Sequence, residues 1–469
     1  MKRNTLKNTP EYVLSSNIME YYISTYFNPS KKEDVIDLKN MALSSFSINK
    51  VMTKILTNRL VYILKDDNID KVCAKIISVK EDYPNEMLIY MKHMFKRITF
   101  DRPTSLYKEI NISNKSLSNI SLNDNNVSDI HFSDKFDNFI DHLSASIKSL
   151  TLGYHFNKPI DYLPAPLTHL TLGDCFDQPI DYLPTSIKVL KLGRYFNQPI
   201  DHLPEFCTHL FLGDDFKQSI DNLPASLTHL TLRFSFNQPM DYLPSSLTHL
   251  TLGSEYRTPL DHLPSSLKHL TLGFFFNLPI DHLPSTITHL KLGYYFNQPI
   301  DCLPLSITHL KSGYNFNQPI DHLPLSIKVL KLGHEFNRPI DHLPKNLTRL
   351  ELGYNFYQLI DHLPSNLTHL TLGHYFSKRM DNLPNSIIYL TVGCGFNEFI
   401  DHLPSSLKFL ILGYCFNQPV YHLPSSLTTL TLGECFNQSI DHLISPFIDL
   451  KTLNRIEHHL YGSCLKFCK

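Results

Sequence analysis

The chain has 469 residues with 43 basic and 44 acidic side chains, a formal net charge of −1. That balance argues against a dedicated nucleic-acid binder, which shows a basic surplus. It contains no stretch of about 18 apolar residues, so no transmembrane helix is expected. Its polar first ten residues hold no apolar signal core. Nine cysteines scattered through such a chain read as reduced thiols of an intracellular protein.

Residues 1–100 show no repeat. Within them, 13–27, 34–56 and 80–97 space Ile, Leu, Met and Phe as a helix does, with a break at Pro29. The reading is an all-helical N-terminal domain that caps the rest of the chain. Residues 101–132 hold imperfect units, with Val127, Ile130 and Phe132 already in register with the leucines downstream. They read as degenerate capping repeats.

From 133 to 445 the chain repeats every 20 residues. Fourteen of the 16 glycines share one column, from Gly153 to Gly433, with Arg233 as its interruption. Prolines fill one column without a gap from Pro164 to Pro424, and a second includes Pro159, Pro179, Pro199 and Pro239. Leucine is unbroken from Leu143 to Leu443 and from Leu150 to Leu450; the aromatic column from Phe136 to Phe436 departs from Phe only at Tyr256. A fixed period of this size means a solenoid or another repeat array. Within one unit, Leu170 and Leu172 alternate with polar neighbours as in a half-buried strand. Gly173 ends that strand, and Pro179 and Pro184 hold the return path extended. Stacked coils would place their strands in one parallel sheet at about 4.8 Å per coil. Residues 446–469 lose the proline column and read as a closing helix. The expected fold class is α+β: a helical head followed by a leucine-rich-repeat-like parallel-β solenoid of about 16 coils.

The unit resembles the leucine-rich repeats, and specifically the FNIP repeats named for a Phe-Asn-x-Pro core. That core stands here as Phe196-Asn197-Gln198-Pro199-Ile200 and again over 296–300 and 316–320. The asparagine of leucine-rich repeats falls one or two columns before Asn197, so the spacing alone does not give an asparagine ladder. FNIP arrays of social amoebae and giant amoebal viruses often follow an F-box, and the stretch Asp37-Leu38-Lys39-Asn40-Met41-Ala42-Leu43-Ser44-Ser45 is similar to an F-box segment. The resemblance implies a degenerate F-box within 10–60 that contacts Skp1 through Leu14, Ile18, Asp37, Leu38 and Leu43. It further implies a viral protein in the host cytoplasm that recruits substrates to a Skp1–cullin ubiquitin ligase. The alternative is a non-adaptor structural or binding repeat protein whose head is only a cap.

Several columns could carry chemistry. Between the buried leucines lie His209, His229, His249, His269, His289 and His309, in consecutive coils, and beside them Thr231, Thr251, Thr271, Lys291 and Lys311. Histidines about 5 Å apart could hold metal or respond to pH. The plainer reading, that a copied repeat copies its surface, makes this face a protein-binding surface. An Asp column from Asp161 to Asp401, often followed by His, invites a catalytic reading. A pair copied in coil after coil builds no unique pocket, and the Asp is better read as an acceptor for turn N–H groups. Phosphate-binding glycine motifs cannot form with glycine once per 20 residues. The expectation is therefore a monomeric, non-enzymatic protein-interaction scaffold. It has a protein target, no cofactor or metal, and neither nucleic acid nor membrane as partner.

Overall fold

The computed structural model describes residues 77–80, 97–101, 128–440 except 133, 142 and 144, and 449–452. Strands recur at every twentieth residue, from Asp129–Phe132 to Thr429–Leu432, most of them three residues long. The chain divides into two compact units, 1–213 and 214–469. In each, successive strands pair in parallel with like residues opposite: Leu150 with Leu170 and Leu190 in the first, Leu270 with Leu290 and Leu310 in the second. The described part of each unit is a parallel-β solenoid.

The helical reading of 1–100 and of 446–469 fails where these stretches are described. Ile77–Lys80 and Arg97–Asp101 are strands, paired with each other in parallel, and the second also pairs with Asp129–Phe132. Their sequences, ISVK and RITFD, alternate apolar and polar residues and are rich in β-branched residues, which favours a strand over a helix. At the other end Asp449–Thr452 pairs with Thr429–Leu432, setting Leu450 against Leu430. The leucine column outranks the lost proline. The F-box-like segment, most of 101–132 and the rest of 446–469 lie outside the described residues.

Each position of the repeat has a physical task. Leu167, Leu170, Leu172, Phe176 and Ile180 point inward and are buried, as are their counterparts in later coils up to Leu432. Burial of each such side chain contributes about 1.5–3 kcal/mol, so a coil is stable only between neighbours that cover it. The phenylalanine rings stack in register at centroid distances of 5.9 Å (Phe136–Phe156) to 6.4 Å (Phe276–Phe296). Tyr256 occupies one place in this stack; its hydroxyl is buried without a hydrogen-bond partner. Burial pushes its pKa up to about 12, and the nearby Thr258 hydroxyl offsets part of that rise without reaching hydrogen-bond geometry.

Glycine is required by close approach. A Cβ at Gly193 would lie 1.8 Å from the Gly173 carbonyl oxygen, and one at Gly293 would lie 1.9 Å from that of Gly273. The Asn-Gln pair links coils. The Asn317 N–H donates to Asn297 Oδ1 at 2.9 Å, and Gln318 Nε2 donates to the Asn297 carbonyl at 2.9 Å. An asparagine ladder therefore does form, in its own column, because the side-chain amide meets the backbone N–H of the next coil. The serine before each core Leu or Ile has a parallel role: Ser306 Oγ donates to the Ile287 carbonyl and Ser326 Oγ to the Ile307 carbonyl at 2.6 Å. Such bonds satisfy main-chain groups that a helix-free return path leaves open.

Candidate binding face

The two strand residues of each coil that do not point inward form two outward columns, and the residue just before each strand forms a third. In the second unit His229, His249, His269, His289 and His309 stack face to face, at 4.0, 4.1, 4.2 and 4.2 Å between ring centroids. His209 lies in the first unit, where its column reads Ser149, His169, Val189 and His209, so no unbroken histidine stack forms there. Thr231, Thr251 and Thr271 stand half-buried beside the rings, and Lys291 and Lys311 are exposed in the same column.

Threonines one residue before the rings set their tautomer. Thr248 Oγ1 donates to the Thr228 carbonyl at 3.1 Å and lies 2.8 Å from His249 Nδ1. The hydroxyl has one proton to give, so Nδ1 carries the hydrogen and Nε2 is the acceptor nitrogen. Thr308 does the same for His309, at 3.2 and 2.9 Å. Burial, and then the charge of nearby imidazoles, lowers the pKa of His289; for His269, Lys268 adds to the same effect. Both imidazoles therefore favour the neutral form more than a free imidazole does. Parallel rings also cannot converge on one ion: among the described residues, no cluster of three or more His, Cys, Asp or Glu is placed to hold a metal.

Between the rings and the next column runs a groove of about 240 Å³, lined by His269, His289, His309 and Val329 on one side and Thr271, Lys291, Lys311 and Lys331 on the other.

A second ladder was missed in the sequence. Phe274, Tyr294, Tyr314, His334, Tyr354 and His374, each one residue after a column glycine, stack face to face at 4.2–4.6 Å. The signal was present, an aromatic or imidazole ring at every twentieth residue, but mixed residue types hid it. Lysines in the column before the histidines, Lys268 and Lys328, were overlooked for the same reason.

The Asp-His column behaves otherwise than read. His202, His362 and His402 meet Asp181, Asp341 and Asp381 of the preceding coil at 3.3, 3.2 and 3.4 Å. These carboxylates face solvent and take an imidazole of the next coil, where a turn N–H was expected. Coil stacking brings the histidine of the next coil alongside each of these carboxylates. Cys207 fills a leucine position, and burial pushes its thiol up to about 11, which makes it inert at neutral pH. Cys394 is disulfide-bonded, against the expectation of reduced thiols throughout. Leu14, Ile18, Asp37, Leu38 and Leu43 lie outside the described residues.

A family model described as FNIP Repeat matches twelve overlapping or abutting segments that together run from residue 140 to residue 435. Among solved structures, the crystal structure of CroV588 from a giant virus, described as a novel circular leucine-rich-repeat protein, is 29% identical. It aligns over 84% of this chain and 70% of its own, with a TM-score of 0.59. YopM from Yersinia enterocolitica is 20% identical over 70% of this chain and 80% of its own, with a TM-score of 0.39. No curated protein matches the chain.

Proposed function

This chain belongs to the FNIP repeat family, with the repeats spanning residues 140–435, and we propose that it is a protein-interaction scaffold that binds its target on the outward sheet face. One observation carries the reading. The inward columns are dictated by packing, but the outward ladders of the second unit are not, because the first unit builds the same coil with Val189, Asp174 and Arg194 in those places. A continuous polar-aromatic face that the fold does not require is a surface free to serve a partner, and repeat solenoids use such extended faces for binding. The role needs no catalytic group and no cofactor.

The finer proposal is a substrate-recruiting adaptor of a Skp1–cullin ligase acting in the cytoplasm of a host cell. It rests on the F-box-like segment over 37–45 and on the family's association with such segments. Both levels are testable with the full-length chain. Skp1 should bind at micromolar concentration, and Leu38→Glu should abolish that binding; no binding by the unaltered chain removes the adaptor role. Replacing His249 and His269 together by Glu should abolish binding of an identified target while the circular dichroism spectrum stays unchanged. Retained target binding would show that this face is not the one used.

A further inference from the structure

Positive charge on the outward face is concentrated in one place. In the four coils from 268 to 331, the three outward columns carry Lys268, Lys291, Lys311, Lys328 and Lys331, and no Asp or Glu. Lys291, Lys311 and Lys331 stand in directly paired positions on neighbouring strands. Like charges placed directly opposite one another destabilise a sheet. In the unfolded chain these residues are 20 apart in sequence and do not meet, so folding brings the repulsion on. Elsewhere in the described part of this column, Thr is the commonest residue, and the lysines are isolated: Lys191 lies between Thr171 and Phe211, and Lys451 pairs with Thr431. The run is relieved at one end only, where Lys331 Nζ meets Glu351 at 2.7 Å. Lys291 and Lys311 line the groove beside His289 and His309.

We propose that this groove binds an acidic, extended segment of a partner protein, with Lys291 and Lys311 as its charge contacts. The proposal rests on the reading of the outward face as a binding surface, and names the chemistry of what binds there. Three strand spacings of about 4.8 Å give the groove a length near that of four or five extended residues. A short run of Glu or Asp laid along it would set carboxylates against the lysines and relieve their mutual repulsion. It would also accept hydrogen bonds from the ammonium groups, while its main-chain N–H groups find Nε2 of His289 and His309, whose Nδ1 atoms face threonine hydroxyls.

A nucleic acid is the competing anion, and the same face argues against it. Single strands are held by bases stacking on open aromatic faces. Here the rings of Phe274, Tyr294, Tyr314 and His334 are stacked on one another and offer mainly their edges. The positive run also stops at Glu351, which gives no continuing track for a phosphate backbone.

The test uses the full-length chain and fluorescein-labelled decaglutamate, with labelled decathymidylate as the competing anion. Decaglutamate should bind saturably and weaken as salt rises. Replacing both lysines, K291E with K311E, should weaken it by about tenfold or more, and the neutral pair K291Q with K311Q by less. Lys345→Glu, in the exposed turn after Pro344, should leave it unchanged. No saturable binding, equal binding by all variants, or tighter lysine-dependent binding of decathymidylate would overturn the proposal. If decaglutamate fails while a target still depends on His249 and His269, the face binds but not through acidic chemistry. If that dependence is lost as well, the binding-face reading falls with it.

Discussion

The two units share one coil and differ in what it displays. Both bury the same leucine, isoleucine and phenylalanine columns, with Phe156, Phe176 and Phe196 stacked in the first and Phe276, Phe296 and Phe316 in the second. In the first unit the outward columns change residue type from coil to coil: His169, Val189 and His209 in one, Tyr154, Asp174 and Arg194 in another. In the second they include two long ring stacks, His229 to His309 and Phe274 to His374, and a lysine run, with Val329 and Arg349 following the first stack. The coil therefore tolerates Val, Asp or Arg where the second unit keeps rings, and the ladders reflect the choice of surface residues, not a demand of folding.

If the buried columns are equivalent, damaging them should cost the same in either unit. Phe176→Ala and Phe296→Ala should each destabilise their own unit by about 3–5 kcal/mol, read as loss of amide-exchange protection in the coils around the change. A marked inequality would mean that the units differ inside as well as outside. Gly193→Ala and Gly293→Ala should come next at about 1–3 kcal/mol or more, because each methyl meets a carbonyl oxygen of the preceding coil; unchanged protection would disprove close approach as the reason for the glycine column.

The second unit alone carries a hydroxyl in its ring core. Tyr256→Phe removes a buried, unpartnered polar group and should stabilise that unit by about 1 kcal/mol, measured as a higher urea midpoint. A fall would mean that the hydroxyl is satisfied after all.

Acid should separate the units by the smallest margin, since the imidazoles involved are half-buried. His269 and His289 have pKa values lowered by burial and by neighbouring charge, from His309 and Lys268 on the first and from His269 and His309 on the second. In the pH window between the lowered folded value and the ordinary value of about 6.5, the unfolded chain binds more protons. Stability therefore rises with pH through that window, and the contribution of the neutral stack is lost as pH falls below about 6.5. His209 in the first unit is lowered by the same causes, burial and then His169, so that unit should also lose protection, but less. His269→Val with His289→Val, the residue that Val189 and Val329 already supply, should keep the fold and flatten the acid response of the second unit. A response that stays as steep would place its origin outside the stack.

Much of the fold was legible because a period of 20 residues admits few arrangements. Leu150 to Leu210 in the first unit, and Leu230 to Leu430 in the second, stand opposite one another as their column foretold. The head and tail were misread at 77–80, 97–101 and 449–452 because short apolar runs fit helix and strand alike. What decides between them is a neighbouring strand to pair with, which lies far away in sequence. Of the binding face, the histidines and the Thr-Lys column could be placed from alternation alone. The Phe274–His374 ladder and the full extent of the lysine patch could not, because they join different residue types, or different columns, into one surface.

The sequence by itself determined the period, the inward columns and the need for glycine and proline at fixed places, since these depend on burial and backbone geometry that repeat identically in each coil. Only the tertiary structure decided that Asn and Gln bridge coils through main-chain groups, that Asp181 meets His202 of the next coil, and that threonine hydroxyls place the ring hydrogen of His289 and His309 on Nδ1. It also showed Lys291, Lys311 and Lys331 crowded around one groove. Those outcomes depend on which atoms of adjacent coils come within hydrogen-bonding or Coulomb range, and it is stacking that brings residues 20 apart in sequence to neighbouring places on one sheet.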